Sequence, residues 1–245
     1  MRSLYKKSQL AFSIAFIIIY CVGLSLADSM SESVGIQKVA TFPLALLLSL
    51  LLYFFFKQNS LLEECGLCKS EVGAKKMLYY IPVLLMLTVN LWHGTALNLS
   101  VLETVLYILT MLCVGFLEEV IFRGLLFNAM VKDNVRSAVI ISSVTFGIGH
   151  IINLFNGSQA ELLPNILQVI YAMAAGFMFV MIYYKTESLI LCIVTHGLFN
   201  ALSVFANEDT VTLKQRIVSC VLLVLISGGY ALYISLAVKR DKKNL

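Results

Sequence analysis

The sequence predicts an all-α fold: a polytopic transmembrane helix bundle of about eight spans, at roughly 20 residues per crossing, with N- and C-termini cytoplasmic. Composition, the length of the apolar runs and the placement of lysine and arginine lead to it. Of the 245 residues, 60% are hydrophobic and only 13% charged, and mean hydropathy is +0.90. A soluble domain carries about 25% charged residues, so this chain lacks the polar surface to cover a globule in water. Residues 1–245 read as a single membrane domain, with the lipid bilayer as first partner. The net charge of +4 does not indicate nucleic acid, because the basic residues sit in short segments between apolar runs, as topology signals do.

The runs divide in order. The first covers Gln9 to Ala27 and the second Val39 to Phe56. Met77 to Leu97 and Ser100 to Val131 follow, with the boundary between them the least sharp. The fifth runs from Arg136 to Phe155, the sixth from Leu163 to Tyr184, the seventh from Leu189 to Ala206 and the eighth from Ile217 to Val238. The first has the basic start of a signal peptide, but its apolar stretch exceeds the roughly 7–15 residues of a signal h-region. It reads as an uncleaved helix.

With the N-terminus inside, the cytoplasmic segments hold 14 basic residues: Arg2, Lys6, Lys7, Lys57, Lys69, Lys75, Lys76, Lys132, Arg136, Lys185, Lys239, Arg240, Lys242 and Lys243. The external segments hold 3, Lys38, Lys214 and Arg216, and Arg123 remains within a span. This asymmetry orients the chain and requires an even number of crossings. Four of the six cysteines, Cys21, Cys113, Cys192 and Cys220, fall in spans as small packing residues. Cys65 and Cys68 form a lone C-x-x-C in a cytoplasmic loop. A zinc ribbon needs a second such pair, so these read as two reduced thiols.

The stretch GFLEEVIFRGLLF, Gly115 to Phe127, breaks the apolar pattern. An ionisable side chain at a helix centre costs about 2.5–3.5 kcal/mol on insertion scales, so such residues are functional candidates by default. Glu118, Glu119 and Arg123 stand here within six residues. His150 follows Phe146 by four residues, His196 precedes Asn200 by four, and Glu119 and Arg123 share that spacing. Four residues place each pair on one helix face. The fourth and fifth spans form a hairpin centred on Asn134; Glu118 lies 16 residues before it and His150 16 after. Two antiparallel helices therefore bring them to similar depth. His196, about ten residues inside Thr186, is also well within the membrane, at about 1.5 Å per residue. His93 has no acidic neighbour at helical spacing and reads as an interfacial residue beside Trp92.

Each of these residues has a purely structural reading. Glu119 and Arg123 can be an ion pair within one helix, Asn200 an interhelical hydrogen bond worth about 0.6 kcal/mol, and His150 a core histidine bonded to a carbonyl. Their joint occurrence in three segments favours chemistry. A buried carboxylate can act as general base on water, and histidine and amide donors can stabilise an oxyanion. Those parts suit hydrolysis of an amide or ester. No G-x-S-x-G or H-E-x-x-H occurs in the sequence. Two glutamates and two histidines could also bind Zn²⁺; Glu118, His150 and His196 would then be the ligands. The competing classes are an ion-coupled transporter, which often shows inverted repeats that this sequence lacks, and a non-catalytic immunity or scaffold protein.

The three motifs, EEVIFR at Glu118–Arg123, FGIGH at Phe146–His150 and HGLFN at His196–Asn200, resemble those of the CPBP (CAAX protease and bacteriocin-processing, or Abi) family of intramembrane proteases. That family includes the type II CAAX prenyl endopeptidases. The resemblance covers a core of about residues 100–205. It implies that Glu118 is the general base, His150 co-activates the water, and His196 and Asn200 form the oxyanion site. Glu119 and Arg123 would orient the carboxylates and Phe146 would shape the pocket. It leaves open both a metalloprotease and a glutamate mechanism without cofactor; the second is favoured here. It further implies a peptide or lipidated protein as substrate, in CAAX-type processing, peptide maturation or bacteriocin self-immunity. The chain's compactness fits a bacterial cell-membrane protein.

Overall fold

The computed structural model describes residues 1–70, 72–155, 161–207 and 211–238. Among them the regular structure is helical, with an isolated antiparallel bridge between Thr95 and Ala206. A short helix, Arg2–Lys7, precedes α1 (Gln9–Val34), whose N-terminus is capped by Ser8 accepting from the Ala11 amide. Then come α2 (Thr41–Gln58), α3 (Ile81–Leu87), α4 (Val101–Val131), α5 (Val135–Gly149), α6 (Leu162–Thr186), α7 (Ile190–Leu202) and α8 (Leu213–Ala237). A capping box between Ser100 and Glu103 starts α4, and a second between Thr212 and Gln215 starts α8.

Six of these helices, α1, α2, α4, α5 with its 3₁₀ extension to Leu154, α6 and α8, are long and apolar enough to cross a membrane. The expected third and seventh spans are shorter. In place of one helix over Met77–Leu97, the chain takes left-handed φ values at Leu78, Tyr79 and Tyr80, forms seven helical residues from Ile81, and turns again at Gly94. Pro82 accounts for the start, since proline is accepted only in the first turn of a helix. The seventh element, α7, runs on as a 3₁₀ turn to Phe205.

Apolar side chains cover the outer faces: Ile18 is 57% exposed and Leu225 64%. In water such surface would be a liability; in lipid it is the solvent-facing surface. The interior is built by α4 against α7, α5 against α6, and α6 against α8. Gly115 and Gly197 set the first of these crossings. A Cβ on Gly115 would stand 2.5 Å from the Gly197 amide nitrogen and 2.6 Å from its Cα, so only a hydrogen there lets the backbones meet.

The two ends of the bundle differ. Both termini of the described chain lie at one end. There the Tyr5 hydroxyl donates to Glu64 Oε1 (3.3 Å), Asn128 Nδ2 to the Glu64 carbonyl (2.7 Å), Ser188 Oγ to the Cys68 carbonyl (2.6 Å) and Lys185 Nζ to the Val238 carbonyl (2.6 Å). At the other end the Gln37 amide donates to Glu103 Oε1 (3.0 Å) and Asn98 Nδ2 to the Ala206 carbonyl (2.9 Å). The expected C-terminal basic cluster, Lys239, Arg240, Lys242 and Lys243, lies outside the described residues.

Candidate functional site

The helical hydrogen bonding of α4 widens to a π pattern over Val120–Phe127, directly after the paired glutamates. Such segments are frequent at functional sites because they rotate side chains out of α register. Every residue from Val120 to Phe127 is buried. The Phe122 carbonyl in this stretch accepts a hydrogen bond from Ser142 Oγ (2.8 Å), which ties α5 to α4.

The two glutamates have different surroundings. Glu119 is fully buried; its Oε1 accepts from Arg123 Nη1 (3.0 Å) and from His196 Nδ1 (2.8 Å). Arg123 is fully buried as well, with Nη2 donating to the Gly176 carbonyl (3.4 Å) and the guanidinium 4.2 Å from the centre of the Phe146 ring. Cation–π contact and carboxylate together compensate a cation within the bundle. Glu118 keeps 12% of its side chain exposed and lines a cavity of about 750 Å³. Its Oε1 accepts from the Tyr20 hydroxyl of α1 (2.6 Å). Its Oε2 lies 3.2 Å from His196 Nε2, close enough for an ion pair but without the alignment of a hydrogen bond.

His196 thus stands between the two carboxylates, with its ring stacked on Phe179 and edge-on to Phe146. Asn200, one turn further along α7, lines the cavity. His150 closes α5; its Nδ1 donates to the Phe146 carbonyl (3.1 Å). In the neutral ring that bond leaves Nε2 as the acceptor, and His150 lines the same cavity as Glu118. Its own carbonyl accepts from Asn165 Nδ2 (2.9 Å). Phe146 packs within 5.5 Å of both histidine rings and of Phe122.

All seven residues singled out in the three motifs are therefore brought together around one cavity floor. Glu118, Phe146, His150 and Asn200 line it, while Glu119, Arg123 and His196 support it from behind. Sequence reasoning missed Tyr20 and Asn165. A tyrosine in mid-span, away from the interfacial belts where tyrosine is ordinarily enriched, was the available signal for the first. His93 also lines the cavity, with Nε2 2.9 Å from Ser219 Oγ. Among the described residues no three His, Cys, Asp or Glu side chains converge as metal ligands do. Within the set Glu118, His150 and His196, the His196 ring is oriented through Nδ1 by Glu119 and presents Nε2 to Glu118 Oε2.

Fold and site define a polytopic membrane protein with a carboxylate–histidine centre at the floor of an internal cavity. Residues 100–202 match the family model for type II CAAX prenyl endopeptidases, Rce1-like. The match spans the same helices that carry the three motifs, and the family resemblance read from them holds over this region. The comparison with curated proteins gives no match.

Proposed function

We propose that the chain is an intramembrane endopeptidase in which Glu118 activates water. The observation that carries this reading is the contrast between the two adjacent glutamates. One is sealed in an ion pair, and the other meets the cavity with a tyrosine fixing its second oxygen. A water between Glu118 and His150 Nε2 loses a proton to the carboxylate as its oxygen bonds to the substrate carbonyl carbon. The resulting oxyanion is met by the Asn200 amide and, in the doubly protonated ring whose Nδ1–H is held by Glu119, by the His196 Nε2–H; the two residues lie on one face of α7. The C–N bond then breaks, and the proton held by Glu118 passes to the leaving amine. Water is consumed, and one carboxylic acid and one amine are released. Glu119 and Arg123 hold the His196 ring and take no part in bond making. No cofactor is required by this sequence of steps.

The family match supports peptide hydrolysis, and the buried polar centre supports a bond cleaved within the membrane. The test is mass spectrometry of membrane peptides from cells carrying the parent chain or Glu118→Gln. Glutamine keeps the volume and removes the base. The variant should accumulate to the parental level, while cleavage products fall by the roughly 10²–10⁴-fold that a general base supplies. In reconstituted vesicles, prolonged chelation should leave cleavage intact. Unchanged products in Glu118→Gln would replace this reading with a scaffold or immunity-binding role.

A further inference from the structure

The cavity extends inward from the end of the bundle opposite the termini, where Asp28, Lys38, Glu161, Asn207 and Arg216 line its mouth. Along α4 it is lined by Tyr107, Thr110, Met111, Val114, Glu118 and, at its floor, Phe122. From Tyr107 to Glu118 is an axial depth of roughly 16 Å at 1.5 Å per residue. Beyond Phe122 the path is closed by described residues. The π stretch is buried throughout, and the loop carrying Cys65 packs on it so closely that a Cβ on Gly124 would stand 3.0 Å from the Cys65 carbonyl. Asn128 Nδ2 seals the same region through the Glu64 carbonyl and the Tyr183 hydroxyl (2.6 Å).

The sealed end is the basic one. Of the described lysines and arginines in loops and at helix ends, Arg2, Lys6, Lys7, Lys57, Lys69, Lys75, Lys76, Lys132, Arg136 and Lys185 lie there; Lys38, Lys214 and Arg216 lie at the opposite end. Lysine and arginine mark the cytoplasmic side.

We infer that the cavity opens to the extracytoplasmic face, and that the substrate is a polypeptide segment presented on that face. The inference rests on the proposed endopeptidase reading for its chemistry and on the charge asymmetry for its direction. The walls suit a peptide: Asn153, Asn165, Gln168 and Asn200 present carboxamides between mouth and floor. Asn165 Oδ1 is buried without a donor among the described residues, an acceptor for a substrate backbone N–H. An extended chain entering from the mouth reaches Glu118 with about five residues, at roughly 3.3 Å each. A lipidated protein on the cytoplasmic face would instead meet the closed end.

Sided thiol labelling tests this. Met111→Cys sits two turns above Glu118, Val211→Cys at the mouth, and the native Cys21 also lines the cavity. Asn134→Cys, in the turn between α4 and α5, marks the sealed end. A membrane-impermeant methanethiosulfonate added to intact cells should modify Met111→Cys, Val211→Cys and Cys21, identified by peptide mass spectrometry, and leave Asn134→Cys unmodified. Inverted vesicles should give the reverse. External modification of Met111→Cys should also lower the Glu118-dependent cleavage products at least tenfold. Modification of the cavity positions only in inverted vesicles would overturn the inference while leaving the endopeptidase reading intact. So would cleavage products confined to cytoplasmic segments. If Glu118→Gln leaves every product in place, the endopeptidase reading fails and the substrate assignment with it, even where the labelling side agrees.

Discussion

The two ends of this bundle are built from similar helices and do opposite things. At the end carrying the termini, a loop folds back over the helix ends, its Glu64 and Cys68 carbonyls accepting from Asn128 and Ser188, while Lys185 donates to the Val238 carbonyl beside it. Cys65 is fully buried there, and burial pushes its thiol well above the usual range. It is inert packing at neutral pH. At the other end the helices part around a cavity whose polar side chains reach inward to Glu118. Rigidity is concentrated on one side of the paired glutamates and access on the other. A buried reactive group needs both, because a carboxylate can be held in place from behind and approached from the front only if the two directions differ.

Four substitutions sharpen or break that contrast. Arg123→Ala removes the cation from the sealed side and leaves the buried Glu119 carboxylate with His196 alone. Breaking a buried pair costs about 3–5 kcal/mol, so the variant should accumulate poorly and unfold earlier in detergent melting curves. His196→Ala removes the ring held between Glu119 and Glu118 behind the cavity floor, and with it the proposed oxyanion donor; turnover should fall on the order of 10²–10³-fold while the protein inserts and accumulates. Tyr20→Phe deletes one hydrogen bond to the reacting carboxylate, a contribution of about 1.5–3 kcal/mol for a charged acceptor. It should lower kcat about tenfold with KM and melting temperature near the parental values. Gly124→Ala presses a methyl on the Cys65 carbonyl and should cost about 1–3 kcal/mol of stability, as overpacking does, with kcat per folded molecule unchanged. If Gly124→Ala abolished turnover in fully folded protein, the division between a supporting end and a reactive end would not hold.

Composition and run length were enough to read a helical membrane bundle, because lipid admits few other solutions. The hairpin arithmetic about Asn134 brought Glu118 and His150 to one level, and they line one cavity. What could not be read were the departures from regular helix. Leu78, Tyr79 and Tyr80 adopt left-handed backbone with no glycine to announce it. The π stretch after Glu119 has no residue signature, since its widening depends on contacts such as that of Ser142 from another helix. Spacing also could not reveal that His196 bridges both glutamates. Four-residue periodicity reports which residues share a face, and the Gly115–Gly197 approach decides which faces meet.

Tyr20, whose hydroxyl holds Glu118, lies 80 residues before the region that matches the prenyl endopeptidase family model. The unit that can be exchanged between such proteins is therefore larger than the segment that makes them recognisable. A chimera joining residues 100–202 of this chain to foreign flanking helices would inherit every motif and still lack the hydroxyl that holds Glu118 Oε1. A homologue without a hydroxyl at this depth of its first helix must bring a compensating donor from elsewhere, and where that donor arises is a measure of how freely the surrounding helices can diverge.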